Sequence, residues 1–359
     1  MDRFAAFGHA NFRRYVVGQV ISSVGSWLQA LAITWLVLDL TGRSDRLGIA
    51  IALVLVHRFV PESPIKTPSR VDVVGATLLS GGLVAMLLAL TEGESWGWTG
   101  GRILGLAAAA AVLLVAWGLA ELRVPNPMVD MRMLAVRQVL FTNLTALIAG
   151  FAMFGSFVLV PNFVEVPHGL STSVQRVVDY GFDASATKAG LYLLPSSVTL
   201  LFAGPLAGLI GRRIGSKWPL AAGMALVAAA AAWLATWHDR PWEILGAMAL
   251  IGIGVGFAYA AMATLITEAV RPTETGVATG MNTVMRTVGG VIGGQVGAAL
   301  LAAHTIPATD HVPSVVGYEV AFGISAVAAL VGAGVAVFIT PPRLRRRERL
   351  VIATTEAVD

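Results

Sequence analysis

The sequence contains no cysteine. Disulfides, thiolate metal sites and cysteine nucleophiles are therefore excluded. Charge is scarce as well: charged residues make up 13% of the 359 positions, against about 25% in a soluble globular chain. That leaves too little polar surface to face water on every side, so a lipid bilayer is the expected surrounding. Enzyme signatures are missing too. The six histidines (His9, His57, His168, His238, His304 and His311) fall in loops or at the ends of apolar stretches, and neither His-Glu-x-x-His nor Gly-x-Ser-x-Gly occurs. Nothing is in place to build a nucleophile or a metal geometry, so no enzyme, cofactor or metal is expected. Nor does a carboxylate fall in the middle of an apolar stretch: Asp39, Asp72, Glu121, Glu165 and Glu268 stand at ends. A carrier that loads and releases protons usually holds a buried acid, so this absence argues against a complete proton antiporter.

What is abundant is apolar chain, with 56% hydrophobic residues. A spanning helix needs about 20 mostly apolar residues. Nine stretches reach that length: Tyr15–Leu40, Val71–Thr91, Ile103–Leu122, Val139–Val160, Ala189–Gly211, Pro219–Trp237, Trp242–Thr264, Val277–Ala303 and Tyr318–Thr340. The first is too long for the apolar part of a signal peptide and has no small-residue cleavage pattern after it, so it reads as a retained helix. A tenth stretch, Leu47–Val56, covers only about 15 Å as a helix, half a bilayer core. Proline and glycine clusters break the chain between stretches, at Pro61–Pro64, Gly93–Gly101, Pro125–Pro127, Arg271-Pro272 and Pro341-Pro342.

The net charge of +4 comes from cations in short loops, without interleaved aromatics. Nucleic acid is therefore not an expected partner. The cations instead sort by membrane side. If the tenth stretch crosses, eighteen Lys and Arg lie on one side and six on the other, with Arg286 apart inside a helix. The eighteen include Arg212, Arg213, Lys217 and the tail arginines Arg343 to Arg349. This side is then cytoplasmic, with both termini inside and the protein in the plasma (inner) membrane. Charge thus favours ten crossings where length favours nine.

Within the helices, glycine and a few polar residues stand out. Gly289, Gly293 and Gly297 recur at spacing four, as do Gly252 and Gly256. Small residues so spaced let helix backbones approach closely in lipid, and a smooth sliding contact uses the same pattern. Arg286 is the one strongly ionisable residue well inside an apolar stretch. It either faces a cavity or partner at mid-depth, or the helix begins late and the side chain snorkels to the interface. Asn282 lies on or near its face, and Asn143 and Gln295 are further polar residues within helices. These four are the candidate substrate-pathway residues, although such side chains also serve simply to bond neighbouring helices.

Three stretches carry a family resemblance. Gly208-Leu-Ile-Gly211-Arg212-Arg213-Ile-Gly215-Ser-Lys217, read as a short cytoplasmic loop between two helices, resembles the Gly-x-Leu-Ala-Asp-Arg-x-Gly-Arg-Lys motif of the major facilitator superfamily in its degenerate second copy, with Arg212 where the motif has Asp. Glu274-Thr-Gly276-Val-Ala-Thr-Gly280 onward through Asn282, Arg286, Gly289, Gly290 and Gly293 is similar to the penultimate helix of the fourteen-helix drug:proton antiporter branch. Phe59-Val-Pro61-Glu62-Ser63 with the later Glu94-Ser95-Trp96-Gly97-Trp98 resembles that branch's middle region. The first helix, with Asn11, Phe12, Arg13, Arg14, Gly18, Gln19, Gly25 and Trp27, resembles the siderophore-exporter-like branch instead. Helices two to five of the family have no counterpart in the chain.

The resemblance implies an all-α polytopic membrane protein with a partial major facilitator fold. Residues 1–46 would form an N-terminal helix, 47–136 the end of a sixth helix and two linker helices, 137–342 a complete six-helix bundle, and 343–359 a basic cytoplasmic tail. It further implies efflux of small amphipathic or cationic molecules by proton antiport. Two alternatives stay open: a non-transporting remnant, and a membrane partner that acts only as an oligomer, a homo-oligomer included.

Overall fold

In the computed structural model the chain divides into two compact units, Met1–Pro68 and Ser69–Asp359. The structure describes residues 72–124, 129–166, 178, 180–306 and 312–340. The stretches Tyr15–Leu40 and Leu47–Val56 and the tail 343–359 lie outside the described residues, and with them the choice between nine and ten crossings.

Among the described residues the protein is all-helical, with eight helices long and apolar enough to cross a membrane. They are α1 (Val73–Thr91), α2 (Gly101–Glu121), α3 (Arg137–Glu165), α4 (Ala186–Ile214), α5 (Lys217–Thr236), α6 (Pro241–Ala269), α7 (Thr275–Ala303) and α8 (Val315–Val337). Each contains or closely overlaps one of the apolar stretches read from the sequence. Their ends have local causes. Asp72 caps α1, its Oδ1 accepting from the Gly75 amide at 2.8 Å. α6 opens on Pro241, whose missing N–H would have no intrahelical partner at that position. The Arg240 amide donates to Glu243 Oε2 at 3.0 Å, satisfying one more donor at this end.

Helices α3 to α8 form one bundle. α3 packs along α7, α4 along α6, and α5 along α8, while α5 also lies on α6 and α8 on α3. This pattern maps onto itself when α3, α4 and α5 are exchanged for α6, α7 and α8. Lengths follow the same rule: α3, α4, α6 and α7 each have 29 residues, whereas α5 has 20 and α8 has 23. Because successive helices alternate in direction, the two triplets run oppositely through the membrane. The bundle is thus an inverted three-helix repeat.

The two equivalent long seams are closed by glycines at spacing four. On α7, Gly289 lies against the carbonyl oxygen of Leu147 and Gly293 against that of Phe151, so a β-carbon at either would overlap the backbone of α3. On α6, Gly252 meets the Ser196 carbonyl, and a β-carbon on Gly256 would stand 2.6 Å from Ala203 Cβ on α4. In lipid, helix association relies on this kind of backbone proximity. Gly297 is different: the nearest atom to its would-be β-carbon is a Leu159 side-chain carbon at 3.6 Å, an ordinary contact.

The loop motif takes a form other than the one expected. Gly208, Gly211, Arg212 and Arg213 belong to the last turns of α4, and Lys217 is already the first residue of α5. Only Gly215 and Ser216 remain as the turn. Gly215 has φ +91°, which a side chain would resist, and its amide donates to the Gly211 carbonyl at 2.8 Å. The two arginines sit where the partial negative charge of the helix C-terminus favours cations.

Helices α1 and α2 form a hairpin beside the bundle. Trp117 is its anchor, buried with Val129, Met133, Ile266, Ala278 and Met281. Glu121, 3% exposed, accepts from Trp117 Nε1 at 3.0 Å and from the Val129 amide at 3.3 Å, so this buried carboxylate is hydrogen-bonded on both oxygens. Elsewhere the helices show large apolar side chains outward. On α4 these include Leu191, Leu194, Val198, Leu206, Leu209 and Phe202, the last 70% exposed. Such a surface is compatible with lipid or another bundle, not with water.

Candidate substrate site

Arg286 is the twelfth of the 29 residues of α7, about 17 Å from its first turn. The helix begins at Thr275, so the late start that would have put this side chain at the interface does not occur. Its guanidinium lies over the ring of Tyr259 on α6, 4.2 Å from the centroid. The side chain is half-buried, and no carboxylate among the described residues pairs with it. A charge at this depth costs about 2.5–3.5 kcal/mol on insertion scales. A cation–π contact offsets about 0.5–2 kcal/mol of that, so a further partner is needed.

One turn before Arg286, Asn282 donates from Nδ2 to Asn143 Oδ1 at 3.0 Å, joining α7 to α3. Both are buried, at 6% and 7% exposure. They are therefore brought together, but as each other's partner inside the seam, the role polar residues often play between membrane helices. Around them the start of α3 is polar, with its side-chain donors bonded and Gln138 Oε1 buried without a partner among the described residues. Thr142 Oγ1 donates to the Gln138 carbonyl at 2.6 Å and Thr145 Oγ1 to the Phe141 carbonyl at 2.8 Å. Gln138 Nε2 reaches the Leu265 carbonyl on α6 at 2.7 Å. Gln295 does not join this group: nine residues beyond Arg286, it projects from the other side of α7, about 180° around the axis, and is half-buried.

Beside Arg286, α7 presents an open face. Gly276, Gly280, Thr283 and Thr287 are exposed, and a β-carbon on Gly276, Gly280 or Gly294 would meet nothing within 4 Å. The glycines of α7 thus have two roles on two faces: Gly289 and Gly293 seal α3, while Gly276, Gly280 and Gly294 leave space. The sequence carried both sets without separating them. It also gave no sign of Tyr259 as the residue under Arg286, because that pairing crosses from α6 to α7.

The opposite end of the bundle is closed by an aromatic cluster. Phe163, Tyr180, Tyr318 and His238 pack with ring centroids 5.2 to 5.6 Å apart. The Tyr180 hydroxyl donates to the Pro313 carbonyl, tying the segment before α4 to the one before α8. Burial pushes the Tyr180 phenol up to about 12, against a smaller lowering by its hydrogen bond with Tyr318. A cavity of about 720 Å³ opens beside it, lined by residues including Phe182, Asp183, His238 and Asp239.

Comparison with known proteins places these features among carriers. Residues 173–356 match the Major Facilitator Superfamily. The multidrug transporter protein MdtP of Bacillus subtilis is 27% identical over 231 residues, 63% of this chain and 40% of that protein. The tetracenomycin C resistance and export protein of Streptomyces glaucescens is 27% identical over 164 residues, 46% of this chain and 28% of that protein. The multidrug resistance protein Stp of Mycobacterium tuberculosis is 27% identical over 230 residues, covering 64% and 40%. A crystal structure of the nucleoside transporter NupG aligns with a TM-score of 0.44 at 15% identity, over 72% of this chain and 64% of that one. The chain spans about 40% or less of the length of these three curated relatives.

Proposed function

The chain belongs to the major facilitator superfamily of membrane transporters, and from that premise we propose that it exports small amphipathic molecules, with substrate meeting the bundle at Arg286. Several relatives are by name multidrug or antibiotic-resistance exporters, which supports export as the direction. The observation that carries the site is the mid-helix cation, the one such among the described residues, set on Tyr259 beside an open, small-residue face of α7.

Alternating access rocks two bundles about a central site. The described residues contribute one six-helix bundle, with the exposed faces of α4 and α7 available to a second. We assign that second role to another copy of this chain, so that the transporting unit is a homo-oligomer in the plasma (inner) membrane. The end carrying Arg212, Arg213 and Lys217 would face the cytoplasm, following the cation bias. Coupling would be to protons by antiport.

The test is efflux from cells lacking their own exporters, using fluorescent amphipathic dyes of each charge sign, with and without a proton uncoupler. Uncoupler-sensitive efflux that falls in an Arg286→Ala variant of equal membrane abundance supports the reading. No efflux of any dye from well-inserted protein favours the alternative, a folded bundle without transport activity of its own.

A further inference from the structure

Arg286 carries five N–H donors in one plane. The centroid of the Tyr259 ring lies 4.2 Å from the guanidinium carbon, and a ring face occupies none of the N–H donors with an oxygen acceptor. Among the described residues no carboxylate pairs with the guanidinium, and no hydrogen bond from it is seen. A half-buried cation deep in a bilayer needs an acceptor of opposite charge, and a planar fork of donors matches a carboxylate, sulfonate or phosphate best. Thr283 and Thr287 flank Arg286 on the exposed side of α7. Their hydroxyls donate to the Thr279 and Thr283 carbonyls at 3.1 and 3.0 Å, so they add no competing cation or acid. Glycines at 276, 280 and 294 keep neighbouring space clear.

We propose that Arg286, held on Tyr259, is the anchor for the anionic group of an amphipathic ligand. The cargo this bundle selects would then be an organic acid, in place of the cationic molecule that the family resemblance implied. This inference deepens the transport reading and rests on it for calling the ligand a substrate.

Binding tests it without requiring transport. The full chain is placed in phosphatidylcholine nanodiscs, with empty discs subtracted. Equilibrium dialysis then compares naphthoate, the neutral naphthamide, and naphthylmethyl-trimethylammonium. The expected result is naphthoate bound about ten- to a hundredfold more tightly than the amide, as for one charge-assisted hydrogen-bonded pair, with the cation weakest. Arg286→Gln should remove the preference and Arg286→Lys should keep part of it. Should Arg286→Gln fail to insert, the wild-type ratio and the lysine variant still decide. Equal binding of naphthoate and amide by wild type, or a preference unchanged in Arg286→Gln, overturns the assignment. Phosphatidylglycerol added to the discs separates the sources of the anion. Naphthoate binding that persists marks a soluble acid; displacement in wild type marks a lipid headgroup on the same fork. Efflux without anion preference sinks this inference alone, and anion preference without efflux sinks the transport reading alone.

Discussion

Asn143 and Asn282 stand 139 residues apart in sequence and share a 3.0 Å hydrogen bond inside the α3–α7 seam. Each satisfies the other where water has no access. Removing one leaves an amide buried without a partner, whereas removing both leaves an apolar seam. Thermal unfolding of Asn143→Ala, Asn282→Ala and the double variant in detergent should show a coupling of about 0.6–1.7 kcal/mol, the range for interhelical bonds in membrane proteins. Strict additivity of the two losses would mean that the bond contributes nothing.

The two glycine faces of α7 should respond in opposite ways. Gly289→Ala sets a methyl on the Leu147 carbonyl, and α3 and α7 must separate to admit it. Overpacking of this kind costs about 1–3 kcal/mol or more. Gly294→Ala meets open space and should be neutral or slightly stabilising, because alanine favours helix by about 1 kcal/mol over glycine. Gly252→Ala on α6 should behave like Gly289→Ala, since its methyl would overlap the Ser196 carbonyl on α4. Melting temperatures of the three proteins decide this, and a Gly252→Ala protein as stable as Gly294→Ala would contradict the close α4–α6 backbone contact.

The same contrast shows what the sequence reveals and what it withholds. Helix positions are legible because an apolar run of spanning length has few other structures open to it in lipid. The ends are less so: Val139–Val160 is the apolar part of a helix that runs from Arg137 to Glu165, since polar residues continue a helix beyond the apolar core. Gly208 to Lys217 reads as loop because of its glycines and cations, yet intrahelical bonds carry α4 on to Ile214. Arg286 is visible as the one strong charge inside a long apolar run. Its place on Tyr259, the mutual burial of the two asparagines and the opposite projection of Gln295 depend on how helices are rotated against one another. Period and composition do not encode that rotation when every face of a helix is apolar.

Glu121 bonds Trp117 within α2 and the Val129 amide in the segment that leads to α3, and the effect of its loss should be local. Glu121→Leu leaves Trp117 Nε1 and the Val129 amide without their acceptor. Each orphaned donor costs about 1–3 kcal/mol. Hydrogen exchange at the Val129 amide should accelerate, while amides in the α5–α8 core keep their protection. Global loss of protection would show instead that the hairpin and the bundle unfold together.

Alkaline pH should open the aromatic closure before it unfolds the bundle. Tyr180 lies outside the spanning helices, and burial raises its phenol from 10.0 to about 12. An acid with a raised folded pKa keeps its proton longer in the folded state than in the unfolded one. Its contribution to stability is therefore complete below pH 10 and is lost as pH rises toward 12. Ionisation also removes the hydroxyl proton donated to the Pro313 carbonyl and places a charge against Phe163 and Tyr318. Near-ultraviolet circular dichroism across pH 9 to 12 should show aromatic signal falling while far-ultraviolet helix signal holds. In Tyr180→Phe the fall should be shallower, and the protein should be less stable at neutral pH by about 0.5–1.5 kcal/mol for the lost hydrogen bond. An unchanged alkaline profile in that variant would assign the transition to another tyrosine of the cluster and leave Tyr180 as packing alone.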